Sequence, residues 1–255
     1  MFKKLVPLNK DAHAGTKVLP INSFSFAKPF HIASMMVQEF ARAASVYPIV
    51  FLEDKEQDEF KPVAMLGLEA GENLFIADDG SWKASYVPAI IRRYPFALAR
   101  NSEQSEQFTV CIDEDAEVVS KDEGKELFNS AGEPTEVVEN VKKYLGEMHQ
   151  MEMFTKTFSH FLAENNLFTP LNMRVRYHGQ IRNVTGCYVV NEERLNNLSD
   201  KKFLEIREKR YLAPIFAHLT SLSQLERLAM LKDGQAGLTP SESDDVEGKK
   251  EENVH

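Results

Sequence analysis

With 255 residues, 43% of them hydrophobic, the chain can bury a substantial core as one large domain or two small ones. Its formal net charge is -9, but residues 233–255 hold seven acids against Lys249 and Lys250, which leaves -4 on residues 1–232 and no basic footprint for nucleic acid. The longest apolar runs, such as Tyr47-Pro-Ile-Val-Phe-Leu52, fall far short of the ~20 residues that span a bilayer, and Lys3 and Lys4 precede no apolar stretch of signal-peptide kind, so a cytoplasmic protein with no membrane span is expected.

In chain order, residues 17–22 read as extended. Residues 32–45 predict a helix, with Met35, Met36, Glu39 and Phe40 on one side and Ala41, Ala43 and Ala44 allowing close packing. The unbroken apolar run of 47–53 predicts a strand, followed by an acidic turn over 54–59. Further strands are predicted over 60–68, 73–77 and 81–86. Between the last two, Asp79-Gly80 is a pair suited to the positive backbone angles of a hairpin turn. A short helix over 87–93, with Pro88 in its first turn, precedes strands at 94–100 and 108–112.

From Pro134 the pattern becomes helical to about Asn165. Val137, Val141, Tyr144, Leu145, Met148, Met151, Phe154, Phe158, Phe161 and Leu162 form one stripe at steps of three and four. That stripe suits packing across the chain's own sheet, and its slow drift also admits a heptad seam in a homodimer. A second hairpin over 173–177 and 181–190 turns at His178-Gly179-Gln180, and helices over 192–207 and 214–231 close the fold. The expected fold is α+β: an antiparallel sheet with a long packed helix and a helical C-terminal cap, one domain over 1–232. The acidic tail, 233–255, has few large apolar residues and is expected to be disordered.

The search for chemistry returns mostly exclusions. Cys111 and Cys187 lie in apolar strand contexts with no metal or redox neighbour, and are expected to be buried thiols. Of seven histidines, no two have helix-turn spacing with an acid between them. His149 and His160 are three helical turns apart, so no metal site and no cofactor is expected. There is no Gly-x-Ser-x-Gly elbow, and Gly67-Leu-Glu-Ala-Gly71 lacks the Lys-Ser/Thr of a phosphate loop.

What stands out is residues 73–96, which hold Trp82, Tyr86, Arg92, Arg93 and Tyr94 close together. Adjacent arginines on a helix end point about 100° apart, so only one readily faces inward and it needs an anion. That anion is either an internal carboxylate or a ligand's carboxylate or phosphate. The aromatics can likewise be core or binding platform. A second dense segment, 211–222, places His218 and Ser221 three apart on one helical face, either as packing or as a catalytic pair short of an orienting acid.

Glu39-Phe40, Tyr47-Pro-Ile-Val-Phe51, Leu66-Gly-Leu68, Asn73-Leu-Phe75, Gly80-Ser-Trp82, Tyr86-Val-Pro-Ala89 and Ile91-Arg-Arg-Tyr-Pro-Phe96 together resemble the SapC family of bacterial proteins. The series continues through Leu127-Phe128, Gly132-Glu133, Leu167, Gly186, Val190-Asn-Glu-Glu-Arg-Leu195 and Ala217-His-Leu-Thr-Ser-Leu222. Asn191 stands where the family usually has aspartate, which weakens a catalytic claim there. The resemblance implies an association with surface-layer protein loci and brings no established reaction; a transporter label conflicts with the missing membrane span. The leading expectation is a non-catalytic binding or accessory protein for a peptide, amino-acid-derived or small anionic ligand, held by Trp82, Tyr86, Arg92, Arg93, Tyr94 and His218. The alternatives are an enzyme built on Arg92, Tyr86 and His218, and a dimeric scaffold.

Overall fold

The computed structural model describes residues 1–100 and 107–234. Strands β1 (Leu5–Pro7), β2 (Lys17–Val18) and β3 (Ile32–Ser34) lead to a short helix, α1 (Phe40–Ala43), and to the hairpin β4 (Ile49–Asp54) and β5 (Glu59–Met65). After a long irregular segment come α2 (Ala89–Arg92), β6 (Phe96–Arg100), β7 (Phe108–Asp113), β8 (Val119–Ser120), β9 (Lys125–Glu126) and the long helix α3 (Glu136–Glu164). The chain then forms β10 (Phe168–Pro170), β11 (Met173–Tyr177), β12 (Gln180–Val184) and β13 (Tyr188–Val190), and ends in α4 (Glu192–Asn196), α5 (Asp200–Glu208), α6 (Leu212–Ser221) and α7 (Gln224–Lys232). The fold is α+β. Its strands are all paired antiparallel and divide, among the described residues, into sheets β10-β13-β4-β5-β3, β1-β7-β6 and β8-β2-β9 and the hairpin β11-β12.

The apolar run of β4 has a two-sided explanation. Ile49 and Phe51 face the main core, while Val50 and Leu52 face a separate cluster beneath β11-β12 and α7, so the first half of the strand is buried on both faces. Helix α3 spans 29 residues, roughly 44 Å, and serves two cores in turn. Its first half packs Val138, Leu145 and Met148 with Phe96, Ile112 and Leu127. Its second half packs Phe158, Phe161 and Leu162 with Phe40, Phe51 and Leu66, and the Phe40 ring meets Phe51 and Phe158 edge-on at 6.4 and 6.2 Å. Most of the apolar stripe is thus used within the chain, although Phe154 stays 39% exposed beside Tyr211.

The predicted helix over 32–45 is corrected at its start. Residues Ile32, Ala33 and Ser34 pair with Met65, Ala64 and Val63, because a strand on β5 satisfies backbone groups that a marginal alanine-rich helix would leave to its own short ladder. The turn of helix begins only after Met36, whose N–H the Glu39 carboxylate accepts at 3.0 Å. Three other predicted elements are broken. The strand over 181–190 divides at Gly186, which adopts φ 82°. The helix over 192–207 stops and restarts at Ser199, which caps Lys202 N–H. The helix over 214–231 divides at 222–223, where the Ser221 and Ser223 hydroxyls donate back to the carbonyls of His218 and Thr220.

The predicted hairpin over 73–86 reduces to one bridge, Ile76 to Trp82, around the expected turn at Gly80. Gly80 holds φ 84°, and a Cβ there would sit 2.1 Å from Ser23 Oγ. Its carbonyl accepts the Phe24 N–H at 2.8 Å, so this turn is held against residues 23–25 rather than against a partner strand. The expected disorder of the tail concerns residues that, from 235 on, lie outside the described residues.

Candidate functional site

The irregular segment between β5 and α2 is organised by a buried acid. Glu39, 6% exposed, accepts three hydrogen bonds: from Met36 N–H at 3.0 Å, from Ala89 N–H at 2.8 Å and from the Tyr86 hydroxyl at 2.6 Å. This carboxylate therefore fixes both the 3-10 turn ahead of α1 and the first residue of α2. Burial, and then the Glu39 carboxylate, raise the Tyr86 pKa, so the hydroxyl stays protonated and donates. Behind it, the Tyr86 carbonyl accepts from the Tyr47 hydroxyl and, at 3.0 Å, from Trp82 Nε1–H, which also reaches the Tyr47 oxygen at 2.8 Å.

Arg92 is held in place without a carboxylate. Its Nε–H donates to the Val87 carbonyl at 3.0 Å, and its guanidinium lies 5.6 Å from the Tyr86 ring centre and 5.7 Å from that of Tyr144. Arg93 turns the other way, as expected for adjacent helical residues, onto the ring of Phe2 at 5.6 Å. Its Nε is buried with no hydrogen-bond partner, and among the described residues it forms no ion pair. Burial pulls the Arg93 pKa down, against the weaker opposing influence of Glu152 and Tyr144. Among the described residues neither arginine has the close carboxylate partner that one reading of this pair required, and Glu152 acts on Arg93 only at longer range.

Both arginines border an open groove of about 370 Å³. Tyr94, Pro95 and Phe96 continue the same wall; Val137, Asn140, Val141, Tyr144 and Leu145 of α3 form the floor; Val18, Leu19 and Lys125 close the far side. The far wall is a product of pairing, since β2 and β9 set Val18 opposite Lys125. Three cations therefore line the groove and, among the described residues, no acid does. Tyr144 spends its hydroxyl proton on the Ala89 carbonyl at 3.2 Å, and the Tyr94 ring stacks on Phe26 at 4.0 Å, its pKa pushed up to about 12 by burial. A second cavity of about 240 Å³ lies under β11-β12 and is lined by none of the six residues singled out from the sequence.

The structure brings Arg92, Arg93 and Tyr94 together on the groove, sets Tyr86 behind Arg92, and sets Trp82 behind Tyr86. His218 is elsewhere and wholly buried. Its Nε2 accepts the Val190 N–H at 3.0 Å, so the proton must sit on Nδ1, which donates to the Ile49 carbonyl at 2.8 Å. Burial lowers its pKa to about 4. The Ser221 hydroxyl accepts the Ile49 N–H at 2.9 Å, so His218 and Ser221 together clasp both backbone groups of one strand residue. The expected meeting of His218 with Arg92 and Tyr86 does not occur: the imidazole is spent on Ile49 and Val190, with Phe51 against its edge. Asn191, the departure in the Val-Asn-Glu segment, caps α4 by accepting Arg194 N–H at 2.9 Å.

Two contributors escaped the reading by residue pattern. Glu39 was named on the apolar side of a helix and in the Glu39-Phe40 motif of the resemblance, but not as a site residue, although an acid inside an apolar run is the mark of a buried, partnered carboxylate. Lys125 sits in a two-residue strand, and nothing in its neighbourhood signals the register that carries it to the groove.

A family model described as SapC matches residues 8–228. No curated protein and no solved structure matches the chain with significance.

Proposed function

This chain belongs to the SapC family, and we propose that it is a non-catalytic cytoplasmic binding or accessory protein whose ligand presents an anionic group to Arg92, Arg93 and Lys125. The observation that carries the reading is the groove's charge balance: three cations and, among the described residues, no lining acid. Guanidinium groups form their strongest hydrogen bonds with carboxylate and phosphate, so uncompensated cations along an open groove favour an anionic ligand. Arg92, locked between two tyrosine rings, supplies a second charge whose ordering entropy is already lost before a ligand arrives. The unpaired, buried thiols of Cys111 and Cys187 suit a reducing compartment.

The test is isothermal titration calorimetry against acetate, inorganic phosphate, N-acetyl amino acids and dipeptides. Saturable binding is expected for at least one, weakened at least tenfold in Arg93→Gln and to a smaller degree in Lys125→Gln, with folding checked by circular dichroism. Absence of binding to every anion at millimolar concentration would remove the reading.

A further inference from the structure

The groove's shape and lining say more about its ligand than its charge does. The polar groups available inside it are few: the cations, Asn140, and a Tyr144 hydroxyl whose proton is committed to Ala89. The rest of the surface is aliphatic or aromatic, with Val137, Val141 and Leu145 in steps of four along one face of α3 and Val18 and Leu19 opposite. A peptide backbone laid here would bring N–H and C=O groups to a floor with almost nothing to pair them. An inorganic polyanion would engage the arginines and leave the aliphatic floor in water.

We propose that the ligand is a small amphiphilic monoanion, with a carboxylate-type head on Arg93 and an unbranched or aromatic apolar body lying along α3 over Val137 and Val141. The proposal rests on the reading of this groove as an anion site. At about 370 Å³ the groove is near the lower end of the ~300–1,000 Å³ range of small-molecule pockets, which limits the body to a short chain or a single ring system. Arg92, held by Val87 and the two tyrosines, adds a fixed positive charge to the same wall. Arg93 lines the groove and forms no ion pair among the described residues, so it is the cation that gains most from the head.

The experiment is calorimetry with straight-chain alkanoates from acetate upward, 3-phenylpropionate, inorganic phosphate and an alanyl dipeptide, on the wild-type chain, Arg93→Gln and Val141→Asn. Kd is expected to fall by up to about fourfold per added methylene, the ratio given by ~0.8 kcal/mol per buried CH₂, until the tail outgrows the groove. Val141→Asn should flatten that dependence while short acids bind as before, and Arg93→Gln should weaken the whole series. Should Val141→Asn fail to fold, Val137→Asn takes its place. A Kd that does not change with chain length, or phosphate or the dipeptide binding more tightly than the longer acids, overturns the amphiphile assignment and leaves the anion site standing. If no anion in the set binds, the anion site itself falls and the assignment with it.

Discussion

The buried imidazole of His218 makes stability depend on pH in a window that can be stated in advance. In the folded chain its pKa is about 4, against the ordinary 6.5 that it regains on unfolding. Above pH 6.5 both states hold a neutral ring and nothing is lost. As pH falls from 6.5 towards 4, the unfolded chain takes up a proton that the folded chain refuses, so stability drops; below 4 both states are protonated and the loss stops growing. At about 1.4 kcal/mol per pH unit, the full loss is about 3 kcal/mol. Other groups titrate in the same range, so the perturbation is His218→Gln, compared with wild type by urea denaturation at pH 7.5, 6.5, 5.5 and 4.5. At pH 7.5 the variant should be less stable by about 1–3 kcal/mol, because either Val190 N–H or the Ile49 carbonyl loses its partner. The gap should then shrink as the pH is lowered, since only the wild type carries the imidazole penalty. A gap that stays constant from pH 7.5 to 4.5 would mean that the folded chain accepts the proton as readily as the unfolded one, and the claim that burial lowers the His218 pKa would be wrong.

Glu39→Ala leaves three buried donors unpaired and should cost about 3–5 kcal/mol in guanidinium denaturation, with Glu39→Gln recovering part of it; a change under about 1 kcal/mol would show that the loop is held by something else. Gly80→Ala combines a left-handed backbone with a Cβ 2.1 Å from Ser23 Oγ, so thermal unfolding should show a loss of about 1–3 kcal/mol, and an unchanged melting temperature would count against the turn as described.

Legibility from sequence followed the range of the forces involved. Helix α3 and strand β11 were readable because their periodicity is local and each buries one apolar face. The strand at Ile32 was not, because its pairing with Met65 is a long-range choice that overrides the helix propensity of its own neighbourhood. The breaks at Ser199 and at 222–223 are set by single hydroxyls, which a scan for apolar spacing passes over. The same division holds at the site. Arg92, Arg93 and Tyr94 are contiguous, so their concentration was visible. Lys125 and Val18 reach the groove only through the pairing of two-residue strands, and His218 is kept from it by contacts to residues 28 and 169 positions away.

The double duty of α3 also shapes how the chain can emerge from a ribosome. The apolar faces of β4 and β5 are complete by Met65, but the helix that covers one face ends at Glu164, and β13, which pairs with β4, comes later still. At a synthesis rate of ~5–20 residues per second, the roughly 100 intervening residues take about 5–20 s. Through that interval the nascent chain presents an open hairpin edge and an uncovered aliphatic surface, the conditions under which strands recruit the wrong partner. The order of synthesis thus sets how long that surface waits for its cover, and any slowing between residues 65 and 164 would lengthen the exposure.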